Sequence, residues 1–356
     1  MASAPALLRR LARRLPVFRD LHRYIVSLEA DGRAAREQLG TLQGELAAIG
    51  GELEAVTRER DQLRVETDHL RGDAPVWMPP GHFYSPVPSR DDVRRVSALP
   101  PPEPSLPAID LREGEQVALL EELAPLLADV AFPRERSDEF RYWYENEAFS
   151  YGDAIALHLL LRHLRPKRMI EIGSGFTTAV ALDTAERHLD GLLQLTCIEP
   201  DASTLRRLVR PTDRFELVES MLQTVPVESF DRLEANDILF VDSTHVSKAG
   251  SDVNLVFFEI LPRLRSGVVV HLHDVFHPFE YPRRWLEEGR AWNEAYLLRA
   301  FLEYNREFEV LLFNEYLGRF HRAWFERNMP LWLENTGGSF WMRKRSSSAE
   351  ATVRRP

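Results

Sequence analysis

The stretch Arg168-Met-Ile-Glu-Ile-Gly-Ser-Gly-Phe-Thr-Thr-Ala-Val-Ala-Leu182 constrains this chain more than any other, because an apolar run stops at Gly173-Ser174-Gly175 and resumes with helical spacing. It predicts a strand, a tight turn and a helix N-terminus, where backbone amides rather than side chains meet a nucleotide-like ligand. Glycine belongs there because a Cβ would obstruct both the turn and the approach of the ligand. A dinucleotide fingerprint needs a third glycine three residues after the second, and this chain has Thr178 there, which disfavours NAD.

The next apolar run, Leu193-Gln-Leu-Thr-Cys-Ile-Glu-Pro200, ends in Glu199, about where an acid grips ribose hydroxyls. Glu171 stands two residues before the first glycine. Together these residues resemble the class I S-adenosylmethionine-dependent methyltransferases, whose first motif is an acid followed by a Gly-x-Gly turn and whose second strand ends in a ribose-binding acid. The resemblance implies S-adenosylmethionine as cofactor, bound by Glu171, Gly173, Ser174, Gly175 and Glu199. A further piece, Phe149-Ser-Tyr-Gly-Asp-Ala154, matches the place where related enzymes close a helix over the cofactor. Tyr151 and Asp153 are thereby implied near the methionine end, with a helix cap as the simpler account of Asp153.

Helical and extended patterns alternate through the rest of the chain. Helices are expected at 114–130, 152–165, 201–209 and 252–264, and strands at 215–218, 237–242, 267–273, 308–313 and 339–342. Such alternation specifies a mostly parallel sheet with helices on both faces, because right-handed crossovers pack each helix back onto the sheet. The expected architecture is α/β, a Rossmann-like class I methyltransferase fold of seven strands, preceded by an α-helical coiled coil.

In such sheets ligands gather at the C-terminal ends of the strands. Besides the residues above, those ends carry Glu219 and Ser220 after strand three, counted with the cofactor set. Asp242, Ser243 and His245 follow strand four, and His271, His273, Asp274 and His277 fall in or after strand five. Asp242 and Asp274 suit a hard divalent cation such as Mg²⁺, which would make a substrate hydroxyl more acidic. This resembles the metal-dependent O-methyltransferases of the catechol and macrolide-sugar type, although no third oxygen ligand is evident and His273 or His277 would be an unusual substitute. His245 or His273 could instead take the hydroxyl proton without a metal, so the catalytic candidates are His245, His273 and Asp242.

The blocks Asp242–Asn254 and His271–Pro282 resemble bacterial class I methyltransferases met in polysaccharide and glycan neighbourhoods, of the methyltransferase 24-like type, over residues 75 to 343. The implied reaction is O-methylation of a sugar or glycan hydroxyl. Two alternatives stand beside it: a non-catalytic cofactor-binding scaffold in a glycan-assembly complex, and a hydroxylase-like metalloenzyme in which His245, His273 and Asp274 imitate an iron site. Trp285, Trp292, Tyr296, Trp324, Phe325 and Trp332 would form either a sugar-stacking wall or, more simply, core and lid packing.

Before all this, apolar residues from Phe18 to Leu70 recur at alternating spacings of three and four, with Gly32, Arg60 and Thr67 as weak positions and Gly50-Gly51 loosening the middle. So narrow and long a stripe predicts a coiled coil with another copy of the chain. Prolines mark a connector from roughly 73 to 107, in which Gly81-His-Phe-Tyr-Ser-Pro86 is too apolar for a spacer and is expected to dock. The expected division is 1–72, basic N-terminus and coil; 73–135, connector, docking segment and helix; 136–345, methyltransferase domain; 346–356, basic tail.

A net charge of −10 argues against a general nucleic-acid binder. Residues 5 to 20 nonetheless mix leucines and arginines in a way that suits an anionic membrane surface. One cysteine, Cys197, excludes an internal disulfide framework, and neither a bilayer-spanning run nor a signal-peptide core is evident. A cytoplasmic protein is expected, with peripheral membrane contact open to it.

Overall fold

A computed structural model describes residues 16–71 and 77–345, which fall into two compact units, Met1–Pro79 and Pro80–Pro356. The division lies slightly beyond the expected boundary at 72. Most of the arginine-rich start and the tail 346–356 lie outside the described residues.

The first unit contains one 56-residue helix, α1 (Pro16–Arg71). In the second, α2 (Arg90–Ser97), α3 (Glu113–Leu123) and α4 (Tyr151–Leu164) precede β1 (Arg168–Ile172). Then follow α5 (Phe176–His188), β2 (Gln194–Ile198), α6 (Ser203–Leu208), β3 (Glu216–Val218) and β4 (Ile238–Val241). Next, α7 (Asp252–Leu255) runs through a π turn at Val256–Ile260 into Leu261–Arg263, and β5 (Val269–Leu272), α8 (Arg283–Glu287) and α9 (Glu294–Leu302) follow. The chain closes with β6 (Phe308–Phe313), α10 (Asn314–Phe320), α11 (Arg322–Asn328) and β7 (Phe340–Lys344).

The strands form one sheet in the order β3-β2-β1-β4-β5-β7-β6. Strands β1 to β5 pair in parallel, whereas β7 runs antiparallel to both β5 and β6. This is the Rossmann-like class I methyltransferase order, and it accounts for the two late apolar runs. Strands covered on both faces read as continuous apolar runs, and every residue of β4 and β5 is buried.

Two devices anchor the sheet and its flanking loop. The Asp237 carboxylate, at the start of β4, accepts from the Lys167 and Arg168 amides at 2.9 Å each, tying β4 to β1 at their N-terminal ends. Arg141, buried, donates to Asp183 and Asp213 at 2.8 Å and to Glu186 at 2.6 Å, clamping the segment before α4 to α5 and to the loop after α6.

In the connector the proline pattern concealed α2. Ser89 and Asp92 form a reciprocal capping box, with the Asp92 amide donating to Ser89 Oγ at 3.1 Å and the Ser89 amide to Asp92 Oδ2 at 2.9 Å. Val93 and Val96 then pack against Tyr281, Leu286 and Ala295. The expected docking of the aromatic segment is corrected by the structure: Phe83 is 80% exposed and stacks on His82, so α2 makes the contact that the aromatics were expected to make. No helix among the described residues is long and apolar enough to cross a membrane.

Removing one partner from a buried ion cluster leaves uncompensated charge. Arg141→Ala strands the Asp183 and Asp213 carboxylates and is expected to cost about 3–5 kcal/mol, measured by denaturant unfolding followed through tryptophan fluorescence.

Candidate functional site

The turn after β1 is shaped by its neighbours. Gly173 takes φ +83°, and a Cβ there would strike the Asp242 carbonyl, so glycine is required both by conformation and by the close approach of the β1 and β4 ends. Gly175 differs: a Cβ would make only ordinary contact with the Thr204 methyl at 3.6 Å. Protein packing therefore does not explain the second glycine, whereas a ligand over the start of α5 would.

Glu199, directly after β2, accepts the Ser174 amide at 3.0 Å and the Asp201 amide at 2.9 Å. Held this way, its carboxylate borders a cavity of about 200 Å³. Gly173, Ile198, Met221, Leu222, Ser243 and Asp252 complete much of the wall. The Ser243 hydroxyl in that wall is buried without a hydrogen-bond partner among the described residues, which fits a polar ligand in the cavity.

The other residues assigned to a cofactor lie elsewhere. Glu171 is completely buried beneath the turn, accepting from the Thr177 and Thr178 hydroxyls; burial raises its pKa to about 8, against the lowering effect of the Thr178 and Cys197 hydrogen bonds. It supports the turn from below. Glu219 is paired with Arg206 at the surface, and Ser220 follows it outside the cavity wall. Tyr151 stacks on Tyr144 at 5.0 Å, its hydroxyl between Arg134 and Glu145.

A second group forms where β4 and β5 end. The register pairs Val241 with Leu272, which sets Asp242 beside His273. His273 Nδ1 lies 3.4 Å from Asp242 Oδ1 and 3.6 Å from Asp274 Oδ1, and its Nε2 lies 3.3 Å from Asp153 Oδ2. His245 approaches the same pair, Nε2 standing 3.4 Å from Asp242 Oδ1 and 3.5 Å from Asp274 Oδ2, while Nδ1 lies 2.9 Å from Glu294 Oε2. Each imidazole thus presents one nitrogen to the two aspartates and is backed through the other by a buried carboxylate. His245 and Asp274 hold φ of +59° and +58°, strain of order 1–3 kcal/mol each that the surrounding contacts must sustain.

Charge governs the protonation of this group. Burial opposes the charge on His245, but hydrogen bonds with Asp242 and Glu294 and the field of Glu294 and Asp274 prevail, lifting its pKa to about 10. His273 is likewise raised, burial being outweighed by Asp242, Asp274 and Asp153. Burial would raise Asp242, yet the His273 charge and the bonds with both imidazoles hold it well below the usual carboxylate range. Asp274 and Glu294 are raised by burial.

Among the described residues, Asp242, His245 and Asp274 offer ligand atoms within 4.8 Å of one another. This grouping has two carboxylates and one imidazole, unlike the iron-type set of His245, His273 and Asp274. The sequence reading lacked a third oxygen ligand; the structure sets the His245 imidazole beside the two aspartates instead. Nitrogen in the set suits a transition metal such as Mn²⁺ at least as well as Mg²⁺. The outer carboxylate of Glu294 gives His245 the backing that metal-bound histidines ordinarily have.

The remaining histidines are packing residues. His271 is fully buried against Phe240, with Nε2 at 2.9 Å from Ser339 Oγ, and His277 sits among Phe313, Tyr316 and Phe320 with its pKa pushed down to about 4 by burial. Asp153 caps no helix: it accepts the Ser339 amide at 2.9 Å and the Gly338 amide at 3.2 Å. On this side a cavity of about 300 Å³ is bordered by His273, Asp274, Asp153, Phe276, Trp285 and Asn335. The aromatic residues divide: Trp285 lines this cavity, Trp292 packs on His245 at 4.5 Å, and Trp324, Phe325 and Trp332 belong to the core.

Residues 170–275 match the profile of a family described as a methyltransferase domain. Over 167 residues the chain is 32% identical to an uncharacterized protein of Archaeoglobus fulgidus, a match covering 45% of this chain and 76% of that protein. The chain belongs to the family of that archaeal protein, and it carries a class I S-adenosylmethionine-dependent methyltransferase domain. Among solved structures, the O-methyltransferase TomG of Streptomyces achromogenes, in complex with SAM, is 15% identical with a TM-score of 0.34, over 72% of this chain and 96% of TomG. CmcI, in its N160 apo form, is 16% identical with a TM-score of 0.36, over 62% of this chain and 83% of CmcI.

Several contributors to the methyltransferase site carry no local sequence signal. Glu294 begins a helix 49 residues after His245, and Asp252 reaches back to the Thr244 amide at 3.0 Å. Because its folded pKa is raised, the stability His245 confers is fully present below about pH 6.5 and is lost as pH rises through about 10. A histidine Cε1–H NMR titration is expected to show His245 charged through neutrality, and Glu294→Gln to move its midpoint downward.

Proposed function

We propose that the protein is an S-adenosylmethionine-dependent O-methyltransferase that acts on a hydroxyl of a sugar or glycan. One observation carries this reading: the Asp242 backbone abuts the Gly173 turn of the first cavity, while its carboxylate meets His273, which borders the second. Donor and acceptor chambers therefore share one proton-handling cluster.

The bound donor supplies an electrophilic methyl group on its sulfonium. Glu199 accepts the ribose hydroxyls, the Ser243 hydroxyl finds its missing partner, and Ile198, Met221 and Leu222 cover the base. On the acceptor side, Trp285 and Phe276 give an apolar wall, and Asn146, Ser150 and Asn335 give amide and hydroxyl groups, the mixture that suits a polyhydroxylated ring.

The acceptor hydroxyl proton passes to an imidazole nitrogen at the Asp242 and Asp274 pair, His273 Nδ1 or His245 Nε2. Asp153 and Glu294 then stabilise the charged ring from behind. Asp242, Asp274 and His245 would also hold a divalent cation, which when bound supplies positive charge that acidifies the hydroxyl. Four carboxylates around two imidazoles favour such a cation strongly. Its binding would release protons from the histidines, a change readable by calorimetry in buffers of different ionisation enthalpy.

The test uses purified full-length protein. Calorimetry is expected to show S-adenosylmethionine binding that Glu199→Ala weakens about 10–100-fold, as loss of a charged hydrogen-bond acceptor implies. Mass spectrometry of glycans from cells with and without the protein should reveal one methyl group lost. Asp242→Asn and His245→Asn should each reduce transfer by about 10²–10⁴-fold while leaving donor binding within a few-fold. In enzyme stripped of divalent metal, kcat/KM is expected to climb from neutral towards pH 10, since a base with a raised pKa acts only after it loses its proton.

A further inference from the structure

The long helix α1 carries a feature that methyl transfer does not use. Along it, Leu39, Leu42, Leu46, Ile49, Leu53 and Val56 follow the three-four spacing, and each is more than half exposed, Leu46 at 73% and Leu53 at 66%. A helix of this length gains most of its stability by burying such a stripe, and no other described residue of its own unit covers it.

Sequence charge shows what the cover is and how it lies. With Leu39, Leu46 and Leu53 at a positions and Leu42, Ile49 and Val56 at d, the g positions read Asp31, Gln38, Glu45, Glu52, Glu59 and Glu66. The e positions from 22 to 57 read His22, Glu29, Arg36, Gln43, Gly50 and Thr57. In a parallel pair each g residue meets the e residue five positions on in the partner helix, which matches Asp31 with Arg36, sets Glu45 and Glu52 against uncharged residues and opposes no like charges. In an antiparallel pair g faces g, setting an acidic column against itself. Slipping the pair by a heptad would leave apolar layers uncovered at both ends. Arg60 is the one charged a position, and a single polar a residue helps to fix register.

We infer that α1 associates with α1 of other copies of the chain as a parallel, in-register coiled coil.

Sedimentation equilibrium of the full-length protein at micromolar concentration tests this directly. A mass of two or more chains is expected, falling to one chain mass in a Leu42→Asp, Leu46→Asp variant whose S-adenosylmethionine binding remains within two-fold of the parent. Leu28→Cys and Val56→Cys, made separately and oxidised, should each yield a disulfide-linked pair, because identical positions face each other only in a parallel, in-register coil; the native Cys197 is buried. A wild-type mass of one chain, an assembly that survives the double aspartate variant, or failure of both cysteine variants to cross-link would overturn the inference. Donor binding by the monomeric variant keeps this outcome separate from the fate of the methyl-transfer reading.

Discussion

The close approach of β1 and β4 at their C-terminal ends is the constraint on which the site depends. Gly173 lies so near the Asp242 carbonyl that no side chain fits between them. The Gly173 amide donates to Ile198 O at 3.0 Å and the Asp242 amide to Ile172 O at 2.8 Å, so three strand ends are locked together. The contact makes one edge serve two chambers. Glu199 faces one of them, and the Asp242 carboxylate leads into the other.

Electrostatics give that edge its chemistry. Asp153, Asp242, Asp274 and Glu294 surround only two imidazoles, and the local answer to the excess negative charge is to protonate both rings. A divalent cation would answer the same excess, so protons and a metal would compete for one set of donor atoms. The left-handed backbone at His245 and Asp274 aims both side chains into the cluster, a cost that the packing of Trp292 on His245 and the Glu294 contact help sustain. Glu171 shows the contrasting use of an acid. Buried and capped by two threonine hydroxyls, it holds the turn in shape rather than meeting a ligand.

Much of this was legible in the chain, for a physical reason. In a parallel sheet every strand delivers its last residue to the same edge, so the polar residue that ends an apolar run is marked locally as a site candidate. Glu199, Asp242, His245, His273 and Asp274 were singled out in that way, and the structure gathers the last four in one cluster. The same rule overreached at Glu219, which turns outward to Arg206, and at His277, which a neighbouring aromatic cluster absorbs. Strand ends fix where a backbone arrives, not where a side chain points.

Sequence alone determined the alternation of strand and helix, the glycine turn and the heptad of α1, because each is a periodicity or a backbone requirement expressed within a few residues. Only the tertiary structure decided which carboxylate backs which histidine. Asp153 reaches His273 across 120 residues of chain and Glu294 reaches His245 across 49. Those pairings are made by packing between distant segments, which leaves no trace in local composition. His245 emerges as a partner to both aspartates for the same reason: a left-handed residue in a loop turns its ring back over the sheet, and no spacing rule announces that turn.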